Sequence, residues 1–321
     1  RDDSNIIDWY TIQDSYSLNM LGDSTELNDG TTYYISIRAT DYAGNRSDLF
    51  SGDGILIDLT PPLFGTMHDG LEMDIDFTQS TTTLSANWTG FIDTVSSIVN
   101  YEVAFTDDTT RFDNIPSWDS VGLSSNYSID TLSTLVDQET YFFILKATDL
   151  AGNVSDVFSS DGVTIDYGIP VSGSVYDGLS GDTDWTSSDS TLELSWSGFI
   201  DSVSGIALYE YGVGTTPGAT NIISWTENGA DTNVVVSNLD LIHDGTYYGS
   251  VRATDVVGHV SALATSNGIV VDIFDPTVGV PNDGGLVDLD YQGPSDTLGI
   301  FWSGNDTREI SFYQYSVGTS P

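Results

Sequence analysis

Aspartates recur at fixed intervals along this sequence of 321 residues. Two sets of three share spacings of 108 and 106 residues: Asp41, Asp149 and Asp255, and Asp58, Asp166 and Asp272. Carboxylates are the hard oxygen ligands that calcium (Ca2+) takes, about six to eight oxygens per ion when backbone carbonyls and water are counted. The first chemistry that this pattern suggests is therefore the binding of a divalent cation.

The first aspartate set opens the segments DYAGN, DLAGN and DVVGH. The glycine of such a segment permits a positive φ, and the aspartate can accept hydrogen bonds from the backbone of its own turn. The same side chains can instead hold a cation, so Asp41, Asn45, Asp149 and Asn153 stay open between a turn and a ligand. In the third copy His259 replaces the asparagine, which weakens the ligand interpretation there.

The aspartates belong to a repeat, because Trp88, Trp196 and Trp302 recur with the same spacings of 108 and 106 residues. Within each repeat, short alternating runs are separated by turns rich in Gly, Asp, Asn and Ser, and no helical periodicity is present. The alternation predicts these inward-facing residues: Tyr33, Ile35, Ile37 and Ala39; Leu84, Ala86 and Trp88; Leu192, Leu194 and Trp196. The sequence thus predicts an all-β fold, a tandem array of antiparallel β-sandwich domains.

Three landmarks of the repeat resemble those of fibronectin type III domains and of the related Ig-like modules of large bacterial surface adhesins. Each repeat has a proline-containing start (LTPP, YGIP, IFDP), then a tryptophan in the second strand, and then a Leu, Gly-Thr, Tyr pattern that is complete at 27–33. The resemblance implies strands A to G in two sheets, with that tyrosine hydrogen-bonded to nearby backbone and with the aspartate after strand F holding a turn. It implies a fold rather than an activity.

The register of the repeat divides the chain into four parts. We expect the C-terminal half of a sandwich at 1–60, complete fibronectin type III-like domains at 61–168 and 169–274, and the N-terminal half of another sandwich at 275–321. Half a sandwich exposes an apolar face and an unpaired strand edge. Completion by continuation of the chain and completion by strand complementation between copies, head to tail, both remain open.

In this topology the B–C loop, the F–G turn and the segment that enters from the previous domain lie at one end of a sandwich. Two groups are expected to meet there: Asp58, Asp93, Asp149 and Asn153 in one domain, and Asp166, Asp201 and Asp255 in the next. The full set of candidate metal ligands is Asp41, Asn45, Asp58, Asp93, Asp149, Asn153, Asp166, Asp201, Asp255 and Asp272. A second acidic pattern, Asp-Gly followed by Asp-x-Asp at 69–76, 177–184 and 283–290, stays open between a ligand and a solvated loop.

Basic residues occupy one outward position of strand F, at Arg38, Lys146 and Arg252. The neighbouring strand C presents Glu102 and Glu210 at the equivalent place. Cross-strand ion pairs, worth about 0.2 to 1 kcal/mol each when exposed, explain these cations better than a binding site does.

Composition narrows the possible partners. The chain has 48 Asp plus Glu against 7 Lys plus Arg, a net charge of −41, which excludes nucleic acid and anionic membranes as natural partners and favours cations. Self-repulsion at this charge suits salt-rich surroundings, so we expect an extracellular or cell-surface protein of a marine or high-salt prokaryote. Cysteine is absent, which removes disulfides and thiolate sites, and no apolar run is long enough for membrane insertion.

Catalysis finds little support, because His68, His243 and His259 have no counterparts in the other repeats. We expect a non-enzymatic extracellular structural repeat segment that forms a stalk or filament shaft of a cell-surface adhesin or fibre and is stiffened by Ca2+. Its partners would be like modules, with a glycan or surface ligand as a further partner. The alternatives are a carbohydrate- or ice-binding adhesin module and a non-catalytic appendage of a secreted hydrolase.

Overall fold

The chain forms β-strands and no helix over the residues that its computed structural model describes, which are 9, 11–12, 26–110, 115, 117–130, 135–283, 293, 297–306 and 308–319. These residues belong to two compact units, Arg1–Tyr167 and Gly168–Pro321. The predicted all-β class is confirmed.

Nine strands of the described residues form a sandwich in the first unit. They are β5 (Thr66–Asp69), β6 (Phe77–Thr78), β7 (Thr83–Thr89), β8 (Ile98–Thr106), β9 (Asp119–Gly122), β10 (Asn126–Asp130), β11 (Thr140–Asp149), β12 (Phe158–Ser159) and β13 (Val163–Ile165). One sheet has the order β10-β7-β5, and the other has the order β6-β13-β11-β8-β9 with β12 also paired to β11. The pairing is antiparallel except between β6 and β13, which run parallel because the chain passes from the first sheet to the second after β5.

Residues from both sheets meet in one core. The predicted inward row of β7, Leu84, Ala86 and Trp88, is at most 3% exposed, and it packs with Phe143 and Leu145 of β11, which are fully buried. Since alternate residues of a strand face opposite sides, this row confirms the predicted register of the tryptophan strand. The Trp88 ring contacts Tyr101 edge to face at 5.8 Å.

The second unit repeats this arrangement. Its sandwich strands are β14 (Ser174–Asp177), β15 (Trp185–Thr186), β16 (Thr191–Ser197), β17 (Ile206–Gly214), β18 (Ile223–Glu227), β19 (Asn233–Ser237), β20 (Thr246–Asp255), β21 (Ala264–Thr265) and β22 (Ile269–Val271). The sheets have the orders β14-β16-β19 and β15-β22-β20-β17-β18, with β21 paired to β20. Leu192, Leu194 and Trp196 are again buried.

The predicted details of the sandwich are also present. The Lys146 ammonium lies 3.1 Å from Glu102, and the Arg252 guanidinium binds both carboxylate oxygens of Glu210, at 2.7 and 2.9 Å. The tyrosine hydroxyls accept backbone N–H groups as the resemblance implies: Tyr33 from Asn28, Tyr141 from Val136 and Tyr247 from Ile242.

Before the first sandwich, residues 26–60 carry four short strands: β1 (Thr32–Tyr33), β2 (Ser36–Ile37), β3 (Phe50–Ser51) and β4 (Ile55–Leu56). β1 pairs with β4 and β2 with β3, in the register that β11 keeps with β13 and β12 one repeat later. Of the inward row predicted here, Ile35, Ile37 and Ala39 are exposed, and Tyr33 is half-buried. Predicted strands before residue 26 lie outside the described residues.

A segment after the second sandwich also carries four short strands: β23 (Thr277–Val278), β24 (Asn282–Asp283), β25 (Ile300–Phe301) and β26 (Gly304–Asn305). β23 pairs with β26 and β24 with β25, both antiparallel. The predicted third strand of this part is not formed over residues 308–319. Its counterpart β17 is held by a ladder to β20, and among the described residues this segment has no such neighbour.

Candidate metal centre

The turn after β11 is held by Asp149, which is 1% exposed. Its Oδ1 accepts the N–H groups of Gly152 at 2.7 Å and Asn153 at 2.8 Å, and its Oδ2 accepts the Asn153 amide at 2.9 Å. Gly152 has φ +96°, as the turn interpretation requires. The aspartate therefore caps its own turn, and Oδ2, which accepts one hydrogen bond, still has a second lone pair.

The loop after β7 places Asp93 beside this turn. Its Oδ1 accepts the N–H groups of Val95 at 2.9 Å and Ser96 at 2.7 Å, which closes the loop. Its Oδ2 is buried and accepts no hydrogen bond. The Ser96 hydroxyl oxygen is likewise buried without a hydrogen bond of ordinary geometry.

Asp58 enters the same place from the segment between β4 and β5. It is 8% exposed, and its Oδ1 accepts the N–H and the hydroxyl of Thr60 at 3.1 and 3.2 Å. Its Oδ2 is buried and accepts no hydrogen bond of ordinary geometry. The nearby Ser96 hydroxyl is the largest influence that lowers the pKa of Asp58, and Thr60 adds to it.

Asp58, Asp93 and Asp149 come together, each offering an oxygen within 4.8 Å of the other two. Calcium holds its oxygen ligands at about 2.3 to 2.6 Å, so oxygens on opposite sides of one ion are about 4.6 to 5.2 Å apart. No described Lys or Arg forms an ion pair with any of the three carboxylates. Two buried carboxylate oxygens that accept no hydrogen bond of ordinary geometry, in a triad with no cationic partner among the described side chains, are what a bound cation would satisfy.

Asn153 has a different function in this arrangement. Its amide nitrogen donates to the backbone carbonyl of Asp58 at 3.1 Å as well as to Asp149. It thereby ties the incoming chain to the turn after β11, and its hydrogen bonds present the amide nitrogen, not the oxygen, to these groups.

The equivalent turn before the first sandwich contains Asp41 and Asn45. Asp41 Oδ1 accepts the N–H groups of Ala43 and Asn45, and Oδ2 accepts the Asn45 amide at 2.8 Å. The Asn45 amide is the main cause that holds the pKa of Asp41 below its ordinary value. Both residues are exposed, and within the described residues no further acidic or histidine group gathers around them, so the structure gives them a turn and no ligand cluster.

The second unit contains two of the remaining candidates in similar local settings. Asp201 Oδ1 accepts the N–H groups of Val203, Ser204 and Gly205. Asp255 Oδ1 accepts the His259 N–H at 2.8 Å, and its Oδ2 lies 3.0 Å from the His259 ring nitrogen Nδ1. The histidine thus takes the place of the asparagine amide in this copy of the turn.

Asp166 and Asp272 follow the last strand of their sandwiches. Asp166 is fully buried at the end of the first unit. Asp272 lies 3.5 Å from His243 Nδ1 and accepts the Phe274 N–H at 3.3 Å. The His243 side chain therefore neighbours Asp272, the third member of the set that begins with Asp58 and Asp166.

A second acidic group falls on the Asp-Gly and Asp-x-Asp pattern that the sequence left open between a ligand and a solvated loop: Asp69 and Asp74, joined by Asp161, which was not predicted there. Asp69 is fully buried at the end of β5, and its own N–H is accepted by Asp74 Oδ1 at 2.9 Å. Asp74, the first residue of the Asp-x-Asp pattern, thus closes the loop that follows β5. The recurring Asp-Gly marks this buried position, since Asp177 is fully buried in the same way one repeat later.

Each strand-F cation also has an aromatic partner that was not predicted from the sequence. The cationic groups of Lys146 and Arg252 each lie 4.6 Å from the ring centroid of a tryptophan, Trp118 and Trp225 respectively, and Arg38 lies 4.2 Å from Trp9. Repeat spacing alone could have revealed these tryptophans, which recur after 109 and 107 residues.

Comparison with known proteins finds similarity only to solved structures. No family model and no curated protein matches the chain. The FN1-FN3 domains of chicken CNTN1 are 17% identical, with 74% of this chain and 77% of that chain covered and a TM-score of 0.33. A titin domain segment is 18% identical, with 77% of each chain covered and a TM-score of 0.40. The fibronectin(III)-like modules of Clostridium thermocellum CbhA are 13% identical, with 64% of this chain and 94% of that chain covered and a TM-score of 0.33.

Within the part of the chain that the structure describes, no helix has the length and apolar character needed to span a membrane.

Proposed function

We propose that this chain is a non-enzymatic, extracellular structural segment whose tandem sandwiches form a stalk or filament shaft of a cell-surface adhesin or fibre. Two sandwiches with the same strand order and the same core row support this proposal. The net charge of −41 supports a setting in which cations are plentiful. The partners of each module are like modules along the array.

We further propose that Asp58, Asp93 and Asp149 bind one Ca2+ ion, which stiffens the connection into the first sandwich. The observation that carries this proposal is the meeting of three carboxylates in which two oxygens, Asp58 Oδ2 and Asp93 Oδ2, are buried and accept no hydrogen bond of ordinary geometry. Asp58 belongs to the incoming segment, whereas Asp93 and Asp149 belong to two loops of the sandwich. An ion shared by all three would fix that segment against both loops.

The cation would act through mass action. A ligand that binds only the folded state stabilises it by about 2.7 kcal/mol when its free concentration is 100 times its Kd. Ca2+ fits the triad better than Mg2+ does, because Ca2+ accepts irregular sets of carboxylate and carbonyl oxygens, whereas Mg2+ requires a near-ideal octahedron and retains water.

Calorimetric titration of the 321-residue chain with Ca2+ tests this proposal. Asp93→Asn should reduce the number of bound ions per chain by one, because it replaces Oδ2 by a donor group while Oδ1 can still accept the Val95 and Ser96 N–H groups. Asp107→Asn, at an exposed loop position, is the matched charge control and should bind as the parent chain does. Equal stoichiometry in the parent chain and in Asp93→Asn would contradict the assigned site.

A further inference from the structure

Asn267 and Gly268 form an Asn-Gly pair at the break between β21 and β22 of the second sandwich. At this position the other repeats carry aspartate, Asp53 and Asp161, with the spacings of 108 and 106 residues that the whole chain keeps. In an Asn-Gly pair the backbone nitrogen of the glycine can attack the side-chain carbonyl of the asparagine, because glycine has no Cβ to obstruct the approach. The pair is therefore a candidate site of self-modification.

The Asn267 side chain is free to turn toward that nitrogen. It is exposed, and no hydrogen bond to another described residue holds its amide. The backbone on either side is fixed, because the Ser266 N–H donates to the Gly249 carbonyl at 2.8 Å and Ile269 belongs to the core of the second sandwich. The side-chain amide thus moves beside a backbone that stays in place.

A buried carboxylate lies against the attacking nitrogen. Asp177 is fully buried, and its Oδ2 accepts the Gly268 N–H at 3.0 Å. A general base must lie about 2.6 to 3.2 Å from the atom whose proton it removes, and this oxygen meets that condition. Asp177 is therefore placed to take the proton that Gly268 must lose before its nitrogen can attack.

The surroundings of Asp177 make it a stronger base than an exposed aspartate. Desolvation by burial is the main cause that raises the pKa of Asp177 to about 6, and the charges of Asp182 and Asp184 contribute. Its Oδ1 is buried and accepts no hydrogen bond of ordinary geometry, so few donors stabilise the negative charge. At and above pH 7 the carboxylate is still largely ionised and able to accept a proton.

The other Asn-Gly pair of the sequence, Asn228 and Gly229, has neither feature. The Asn228 amide nitrogen donates to the backbone carbonyls of Asp231 at 2.9 Å and Asn233 at 3.1 Å, which hold the side chain within its turn. Among the described residues, no carboxylate accepts the Gly229 N–H. Two pairs with the same sequence thus differ in both requirements, a free side chain and a base at the attacking nitrogen.

We propose that Asn267 is a site of self-modification, at which the chain converts this asparagine to aspartate and isoaspartate with Asp177 as the general base. Asp177 takes the Gly268 proton, the Gly268 nitrogen forms a bond to Asn267 Cγ, and the bond from Cγ to Nδ2 breaks. The proton passes to Nδ2, which leaves as ammonia. The resulting succinimide takes up one water molecule: opening at Cγ gives aspartate, and opening at the backbone carbonyl gives isoaspartate, whose main chain runs through the former side chain.

The modification gives the second sandwich an acidic residue that the first already has. Asp161 is the equivalent of Asn267, and it lies in one acidic group with Asp69 and Asp74. Aspartate at 267 adds a negative charge beside the buried Asp177, and isoaspartate also lengthens the backbone between β21 and β22. Both products should therefore weaken the second sandwich as the chain ages. The inference depends neither on the proposed array nor on a cation.

Peptide mapping by mass spectrometry measures the conversion in the full chain, incubated in mildly alkaline buffer with chelator. Asn267 should yield two new peptides of equal mass, the aspartate and isoaspartate products, while Asn228 stays largely unmodified. In urea the structural difference between the two pairs is lost, so both asparagines should convert at similar rates. A ratio of the Asn267 rate to the Asn228 rate that is no higher in the native chain than in urea would overturn the proposal.

Two variants test the general base. Asp177→Asn should slow the conversion of Asn267 by about 100-fold, the low end of what a positioned base contributes, because an amide oxygen can accept the Gly268 N–H but does not take its proton. Asp240→Asn, at an exposed position before β20, removes the same charge and should convert as the parent chain does. Thermal unfolding establishes that each variant is folded during the incubation, and the comparison with urea decides if Asp177→Asn is not. An unchanged rate in folded Asp177→Asn would overturn the assignment.

Discussion

Asp69 accepts a hydrogen bond from the Ser160 hydroxyl at 2.9 Å, although the two residues are 91 positions apart in the chain. Its other carboxylate oxygen accepts the Gly162 N–H at 2.8 Å. A fully buried carboxylate thus joins the end of β5 to the break between β12 and β13. Desolvation by burial is the main cause that raises the pKa of Asp69 to about 6, and Asp161 and Asp74 raise it further.

The buried aspartates should make the sandwiches more stable at pH 5 than at pH 7. Burial raises the pKa of Asp69 and of Asp177 to about 6, from 3.8, so the folded state takes up protons before the unfolded state does. The free energy of unfolding should therefore rise as the pH falls through 6, by about 1 kcal/mol per aspartate between pH 7 and pH 5. Thermal unfolding at fixed ionic strength, in chelator, measures this difference.

The general loss of negative charge at low pH also reduces self-repulsion, so the test needs a matched variant. Asp69→Asn combined with Asp177→Asn should flatten the profile between pH 5 and pH 7. Asp107→Asn, together with a second exposed substitution, Asp130→Asn, changes the net charge equally and should keep the parent slope. A double Asp69 and Asp177 variant with the parent slope would show that other groups titrate in this range.

Asp149→Ala separates turn closure from cation binding. In chelator it should lower the free energy of unfolding by about 2 to 3 kcal/mol, because the Gly152 and Asn153 N–H groups lose a charged acceptor. With Ca2+ present the loss should be larger, because the triad also loses one of its three carboxylates. Asp41→Ala, in the exposed equivalent turn, should show the same loss with and without Ca2+. A loss for Asp149→Ala that does not depend on Ca2+ would restrict this residue to the turn.

The strand-F cations should differ in how strongly they couple to their glutamates. Arg252 binds Glu210 through two nitrogens, whereas Lys146 meets Glu102 through one at 3.1 Å. Planar, bidentate pairs are geometrically better defined, so a double-mutant cycle on Arg252 and Glu210 should give the larger coupling, within about 0.2 to 1 kcal/mol for such partly exposed pairs. Chemical denaturation of the single and double alanine variants supplies both cycles. A larger coupling for the lysine pair would contradict this expectation.

Most of the fold could be predicted from the sequence, because the repeat is recognisable from the spacing of its residues alone. Period-two alternation predicted the buried rows that end at Trp88 and Trp196. Position within the repeat predicted the ion pairs of Lys146 and Arg252 with the glutamates of strand C. The group of Asp58, Asp93 and Asp149 was also predictable, since topology alone brings two loops and an incoming segment to one end.

What the sequence could not show depends on contacts between distant residues. Asp69 reads as one more acidic loop residue in an acidic chain, and only packing reveals that it is buried against Ser160. The stacking of Trp118 on Lys146 likewise needs the strand after β8 to fold back beside β11. The Asp-x-Asp pattern could not be interpreted for the same reason, because the hydrogen bond from the Asp69 N–H to Asp74 depends on the path of its loop.

Replacing either of two glycines should destabilise the fold, because other backbone atoms lie very close to them. A Cβ on Gly65 would overlap the carbonyl oxygen of Thr89, and a Cβ on Gly173 would overlap that of Ser197. Both obstacles are backbone atoms at the end of a core strand, so no side-chain rotation relieves them. Gly65→Ala and Gly173→Ala should each cost about 1 to 3 kcal/mol or more of unfolding free energy, the usual range for overpacking.

Gly122→Ala is the control for these two substitutions. Gly122 has φ +60°, in the left-handed region, and a Cβ there would have open space around it. Gly122→Ala should lower the free energy of unfolding by about 1 kcal/mol, which is the penalty for placing a side chain in the left-handed region alone. Thermal unfolding midpoints of the three alanine variants rank them directly, and a Gly122→Ala variant as unstable as Gly65→Ala would show that backbone conformation, and not the approach of Thr89, determines these positions.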